Sequence, residues 1–444
     1  MVNEFSILKF ILFSELEKWN ISEILNGKIS GKYKSQPLTN FLVRNKEAIE
    51  IKRDVLYKQI TIHQFGEGVS LRCEKYGKDI KTKRQFVAKK GQFIISRIDA
   101  RNGSFGIVPD SLDGAIVTND FWLFDIKNAV SQFLVLLLSS KKINSFWQSK
   151  SNGTTNRQRV DFEDFIKSSL PIPPIEVQKS IVKKYDDLIK RTDEINKRAD
   201  ELQALIQTYF DNQLGIVEIN TEFKNRLNFI SFSNIDLWGV EKNQRKKIIR
   251  NKKHPVVKLE SLCSVGSGGT PDRSNDSYYK NGNIPWVKTT EVVDEYINDT
   301  EEKITQKGLE NSSAKLYEKD SLIIAMYGQG KTRGRTAKLG ISSSTNQACA
   351  VLYDINNELI LTDYLWFYFQ NEYERIRELA YGNNQPNLNA GMIKEYPIVL
   401  PPLEVQNEIV NHINQIKSQV KELRSKAAEL RQNAKEDFER SVFE

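Results

Sequence analysis

Histidine and cysteine are scarce, with three of each in 444 residues. Cys73, Cys263 and Cys349 form no CxxC pair, and their odd number argues for reduced thiols in a cytoplasm rather than a disulfide framework. His63, His254 and His412 lie in separate segments without metal-ligand spacing, so packed or solvated imidazoles are expected and no metal site is assigned. Long apolar runs are lacking too. The longest, Phe133 to Leu138, falls far short of a bilayer span. The start, MVNEFSILKFILFSELEKW, is interrupted by Glu4 and Lys9 with no basic stretch ahead of it, so no secretory signal and no membrane anchor are expected.

Catalytic signatures are equally thin. GQGKT at 328–332 ends like a phosphate-binding loop, but Ala325 stands where that loop needs glycine, and RGRTAKLG is a poor helix. Pro271-Asp272 with Glu301-Glu302-Lys303 makes a loose nuclease-like series, of the kind that a chain with 27% charged residues produces by chance. No nucleophile–base pair is legible, so no catalytic residue is assigned.

What the chain does have is an uneven charge. From Arg44 to Arg101 it carries 15 Lys and Arg against 7 Asp and Glu, a local +8, while the other 386 residues balance at 50 against 50. A localised positive field suits a polyanion such as nucleic acid; an anionic membrane surface or a merely solvated basic face are the other readings.

It also repeats itself. Pro173-Pro174-Ile175-Glu176-Val177-Gln178 returns 228 positions later as Pro401-Pro402-Leu403-Glu404-Val405-Gln406. Paired prolines ahead of a helical pattern mark a helix start, and the glutamates then sit at the positive end of the helix dipole. Apolar residues follow at alternating 4-3 spacing: Ile181, Tyr185, Leu188, Thr192, Ile195, Ala199, Leu202, Ile206, Tyr209. The second copy gives Ile409, Ile413, Ile416, Val420, Leu423, Ala427, Leu430 and Ala434. One such stripe reads as a core-facing helix, but two in identical register predict the seam of a coiled coil. At ~1.5 Å per residue each stripe is a rod of roughly 40 Å, close to one turn of duplex DNA.

Upstream the repeat is weaker. Phe13-Ser14 and Trp19 echo Phe232-Ser233 and Trp238; GQFIISRI (91–98) answers DSLIIAMY (320–327); Phe124-Asp125-Ile126 answers Tyr353-Asp354-Ile355. Helices are expected over 134–147 and 365–379, each leading to a polar loop. The predicted fold is α+β: two mixed α/β domains joined by two long helices that form an antiparallel coiled coil with internal pseudo-two-fold symmetry. The expected division is a first domain over 1–170, a first helical region over 171–215, a linker over 216–253, a second domain over 254–400 and a second helical region over 401–444. Such a molecule presents two readers to two half-sites, with the rod as spacer.

At this point the chain resembles the specificity subunit of type I restriction-modification systems. PPIEVQ…IV and PPLEVQ…IV carry the likeness, with SGGTP (267–271) and GNIPWV (282–287) in the second half. The first half has no counterpart of the GGTP loop. The resemblance implies a non-catalytic, cytoplasmic DNA-recognition subunit with two target-recognition domains that reads a bipartite double-stranded target. It also implies docking to adenine methyltransferase subunits and, in a full system, to the restriction-translocase subunit. No cofactor is expected in this chain; S-adenosylmethionine belongs to the methyltransferase partner. Agreeing with this, no Asn/Asp-Pro-Pro-Tyr methyltransferase loop is present.

Several loops are candidates to meet DNA. Tyr327, Gln329, Lys331, Arg333 and Arg335 lie in a glycine-rich loop with three cations and no acid, and the corresponding place in the first half holds Arg97, Arg101 and Asn102. Thr154, Thr155, Asn156 and Arg157 answer Asn383, Asn384 and Gln385; these polar loops either bond DNA or cap the next helix. Gly268, Gly269 and Thr270 either aim backbone N–H groups at a phosphate or make a tight turn, and Lys288 and Thr289 follow a short strand. Ile181, Leu188, Ile195, Leu202, Ile409, Ile416, Leu423 and Leu430 are the core positions of the seam. The competing class is a non-catalytic adaptor with two protein-binding domains and an incidental basic surface.

Overall fold

The computed structural model describes residues 29, 31–64, 68–98, 103–150, 161–219, 247–250, 253–328, 330–380 and 387–444, and excludes the side chains of 146–150, 217–219 and 247–250. The chain forms two compact units, one of residues 1–196 with 424–444, the other of residues 197–423.

In the first unit, aromatic and β-branched stretches form a four-stranded antiparallel sheet in the order Leu42–Asn45, Phe121–Ile126, Phe93–Ser96, Phe105–Ile107. Side chains alternate across it. Phe93, Ile95, Trp122 and Phe124 pack with Phe133, Leu134, Leu137 and Leu138 of the helix Ser131–Ser139. Ile94 and Leu123 pack the other way, with Ile60, Ala88, Ala115 and Val117 of a second, five-stranded sheet. That sheet runs Ala48–Glu50, Arg84–Ala88, Ala115–Val117, Leu56–Ile62, Val69–Tyr76.

The second unit repeats the plan. Its sheet runs Ser264–Ser267, Cys349–Tyr353, Leu322–Ala325, Thr336–Leu339, Tyr296–Ile297, and the first four strands follow the same sequence order as in the first unit. Leu322, Ile324 and Leu352 meet Tyr364, Leu365 and Tyr368 of the helix Thr362–Asn371. The predicted correspondence of 91–98 with 320–327 is present as the strands Phe93–Ser96 and Leu322–Ala325; Phe124-Asp125-Ile126 ends the strand Phe121–Ile126, whereas of Tyr353-Asp354-Ile355 only Tyr353 lies in a strand, Cys349–Tyr353. Phe13, Ser14, Trp19, Phe232, Ser233 and Trp238 lie outside the described residues.

Each unit closes with a short antiparallel pair, Ser35–Pro37 with Ser169–Pro171 and Val256–Lys258 with Pro397–Val399. A long helix follows each pair, Ile175–Leu214 and Leu403–Phe443. Here the repeated phrase finds its physical use. Buried Gln178 accepts from the Val130 N–H (2.8 Å) and donates to the Pro173 carbonyl (2.8 Å). Buried Gln406 accepts from the Leu361 N–H (2.8 Å) and donates to the carbonyls of Pro401 (2.8 Å) and Leu359 (2.9 Å). Val130 and Leu361 are the N-caps of the packed helices Ser131–Ser139 and Thr362–Asn371, and neither cap has a side-chain hydrogen bond of its own. One glutamine therefore satisfies a helix entry and pins the proline turn that launches the long helix.

Within the first unit, Ile181, Val182 and Tyr185 share a core with Phe438, Val442 and Phe443. Within the second, Ala199, Leu202 and Ile206 share one with Ile416, Val420 and Leu423, and the Tyr209 ring lies 4.1 Å from that of His412. The start of the first long helix thus meets the end of the second, and its later turns meet the second helix's early turns. The two run antiparallel. Every residue of the two predicted stripes is buried or half-buried, whereas Leu205, off the stripe, is exposed.

Within the linker expected over 216–253, Ile216–Ile219 pairs antiparallel with Lys247–Arg250. The strand comes from the β-branched run KIIR, which the surrounding lysines and arginines conceal at the level of composition. The three cysteines are unpaired. Among the described residues, no helix is long and apolar enough to cross a membrane.

Candidate nucleic-acid interface

The glycine-rich loop of the second unit is built as a braced turn. Gly328, Gly330 and Gly334 hold φ of +141°, +60° and +85°, which side-chain-bearing residues rarely adopt, and a Cβ on Gly334 would come within 2.9 Å of Arg377 Cγ. A strand, Thr336–Leu339, follows the loop where a phosphate-binding loop needs a helix. The brace comes from the helix Tyr373–Glu378. Arg377 donates to the carbonyls of Arg333 and Gly330 (2.9 Å each), and the Tyr373 hydroxyl donates to the Lys331 carbonyl (2.8 Å). The Arg377 guanidinium also stacks 5.0 Å from the Tyr373 ring. Neither brace residue was singled out from the sequence, because both lie 40 or so positions from the loop they hold.

The braced loop displays its cations unequally. Lys331 is exposed, and Tyr327 beside it is 40% exposed. Arg333 is half-buried, and burial, then the neighbouring Arg377 charge, lower its pKa. Arg335 lies 3.7 Å from the Asp294 carboxylate. Gln329 lies outside the described residues.

The GGTP loop owes its glycines to close packing. A Cβ on Gly268 would fall 1.9 Å from the Thr345 carbonyl oxygen, and one on Gly269 2.3 Å from Ser313 Oγ. The Gly269 N–H is already donated to that Thr345 carbonyl (2.9 Å), and its own carbonyl accepts from the Trp286 indole (2.9 Å), so the tight-turn reading fits. Half-buried Thr270 bonds Gln347 through its hydroxyl. Lys288 donates to Glu301 (2.7 Å) and Glu302 (2.9 Å), which raise its pKa. Its charge is met inside the protein, and Thr289 opens the short turn behind it. Arg273, pairing with Glu302 (2.5 Å), stacks 4.7 Å from Tyr279 and 4.8 Å from Trp286. The acidic pair Glu301–Glu302 is therefore a set of ion-pair partners for Arg273 and Lys288.

In the first unit, Arg97 follows the strand Phe93–Ser96 and stacks 5.4 Å from the Trp122 ring. Arg44, which sequence reasoning passed over, stacks on the same ring at 5.4 Å. Its only sequence signal is membership of the basic segment. Arg101, Asn102, Thr154, Thr155, Asn156, Arg157, Asn383, Asn384 and Gln385 lie outside the described residues.

A family model described as the type I restriction modification DNA specificity domain matches residues 21–204 and, again, 251–432. The type I restriction enzyme MjaVIII specificity subunit of Methanocaldococcus jannaschii is 24% identical over 311 residues, 65% of this chain and 64% of that protein. The EcoR124I/EcoR124II specificity subunit of Escherichia coli is 23% identical over 169 residues, 37% of this chain and 41% of that protein. The matches thus span less than two thirds of either relative's length. A solved chain from a study of complex assembly and conformational transition in the type I R-M system superposes with a TM-score of 0.61, covering 94% of this chain and 99% of that one at 18% identity. That likeness concerns the fold. The family match falls once on each copy of the sheet, the glutamine clamp and the long helix, and the chain belongs to the type I restriction-modification DNA specificity family.

Proposed function

We propose that this chain is the non-catalytic DNA-recognition subunit of a type I restriction-modification enzyme. Its two units each read one part of a bipartite target. The paired long helices act as spacer and as the platform on which adenine methyltransferase subunits, and a restriction-translocase subunit where one exists, assemble. One observation carries the reading: the same sheet, clamp and long helix occur twice in one chain, under a family model that matches twice. A duplicated reader suits a duplex, whose backbone presents the same geometry to both copies. The braced, cation-bearing loop at 327–335 and the arginines of the first unit supply groups for phosphates and base edges. S-adenosylmethionine chemistry belongs to the partner on this reading, and the complex works in the cytoplasm.

The test is a base-resolution map of N6-methyladenine in cells with the gene intact and deleted. Loss of methylation from one split, asymmetric motif is expected. An unchanged map, in cells that express the methyltransferase partner, would leave the adaptor reading standing instead.

A further inference from the structure

Arg44 and Arg97 both lie against the Trp122 ring and make no ion pair among the described residues. Arg44 lies on the edge strand opposite Phe124, with its guanidinium carbon 5.4 Å from the Trp122 ring centre, 5.6 Å from that of Phe124 and 5.4 Å from that of Phe162. Arg97 reaches the same Trp122 ring at 5.4 Å from the neighbouring strand end. Trp122 and Phe124 are buried, and Phe162 meets Trp122 edge-on at 5.1 Å, so the floor is fixed by its own packing. Both guanidiniums carry a buried Nε without a hydrogen-bond partner, and neither makes an ion pair among the described residues. The nearby carboxylate of Asp125 alternates to the other face of the strand, where it accepts from Gln92 (2.7 Å) and Asn45 (3.2 Å).

Two like charges held half-buried and unpaired work against folding. Burial, then the Arg97 charge, push the Arg44 pKa down to about 10. Stacking on aromatic faces recovers part of that cost but supplies no acceptor. An anion would complete the arrangement. In the chain, Arg97 stands four residues before Arg101 and Asn102, candidates to meet DNA, and Phe162 follows the polar loop 154–157, which the sequence leaves open between bonding DNA and capping the next helix.

We propose that Arg44 and Arg97, stacked on Trp122, together grip one phosphate of the DNA backbone and fix the duplex on the first unit without reading a base. The proposal rests on the DNA-recognition reading and adds to it a site and a division of labour. A phosphate accepts from two guanidinium forks at once. A base edge would call instead for a single fork free to enter the groove, whereas both guanidiniums here lie against the same Trp122 ring.

The probe is a 40-bp random-sequence duplex, titrated with the full chain across salt concentration. The wild type is expected to bind with a clear salt dependence. Arg44→Gln with Arg97→Gln should weaken binding about 10-fold and lower the salt slope by about 0.9, the value of one phosphate. The thermal midpoint should hold or rise, because a like-charge pair is removed. Arg44→Lys with Arg97→Lys keeps the charge and should bind within about threefold of wild type, since lysine also holds phosphate as a point charge. If the glutamine variant keeps wild-type affinity and slope, the cradle is wrong while DNA binding stands. If the loss appears on poly(dG)·poly(dC) but not on poly(dA)·poly(dT), the pair reads a base and the proposal falls. If the wild type shows no salt-dependent binding at all, the DNA-recognition reading itself fails.

Discussion

Replacing Gln406 by alanine tests the account of the repeated phrase. Gln406 is fully buried, and its amide joins three backbone groups: the Leu361 N–H and the carbonyls of Pro401 and Leu359. Truncation leaves a buried donor and two buried acceptors without that partner, each worth about 1–3 kcal/mol if no water replaces it. Partial relaxation and water entry bring a realistic total to about 3–5 kcal/mol, a large share of the ~5–15 kcal/mol that holds a domain together. For a unit of this size, about 1 kcal/mol moves the thermal midpoint by about 2–4 °C, so a drop near 10 °C is expected. Gln178→Ala removes one donor and one acceptor contact, from Val130 and to Pro173, and should cost less. Calorimetry of both variants, with hydrogen exchange at the Leu361 amide, measures this. A midpoint within about 2 °C of wild type for Gln406→Ala, with the Leu361 amide still protected, would refute the clamp.

Lys417 should make stability depend on pH. Burial lowers its pKa to about 8 against the opposing pull of Asp294, Glu295 and Asp363; its ammonium stacks 4.2 Å from Phe367 and donates to Gln370 (2.6 Å). The unfolded lysine, with a pKa near 10.4, holds its proton more tightly, so this group's contribution to stability rises between about pH 8 and pH 10.4. Lys417→Met should stabilise the second unit at pH 7 by about 1–3 kcal/mol, and its advantage should shrink toward pH 10; a pH-independent difference in denaturant midpoint would contradict this. Replacing Lys331, Arg333 and Arg335 together by alanine should weaken DNA binding and flatten its salt dependence. Unaltered affinity and slope in the same titration would remove the loop from the interface. Deleting 188–194 with 416–422 takes one heptad from each long helix and should shorten the gap between the recognised half-sites or abolish binding; an unchanged methylation motif would sink the spacer reading.

The periodic features were legible in the sequence. A 4-3 spacing leaves a helix one apolar stripe to bury, and two stripes in one register gave both seams residue by residue, from Ile181 to Tyr209 and Ile409 to Ala434. Prolines fix helix starts through their own backbone, so the launch points at 175 and 403 followed directly. The matching strands and the duplication followed too, because β-branched and aromatic runs behave alike wherever they occur. Tertiary structure alone decided how each side chain is used. Lys288 and Arg335 read as cations offered to DNA, but residues distant in the chain bring Glu301, Glu302 and Asp294 to them. Gly268 and Gly269 read equally as phosphate-facing or as a tight turn, and it is Thr345 and Ser313, occupying the space a Cβ would need, that favour the turn. Nothing in the repeated phrase marks its glutamine for a role; folding places Val130 and Leu361 against it. Arg44 gained its meaning only when Trp122, 78 positions away, slid beneath it and beneath Arg97. Helical period and proline geometry act within a few residues and can be read along the chain; charge pairing, close packing and shared aromatic floors join residues that only the fold brings together.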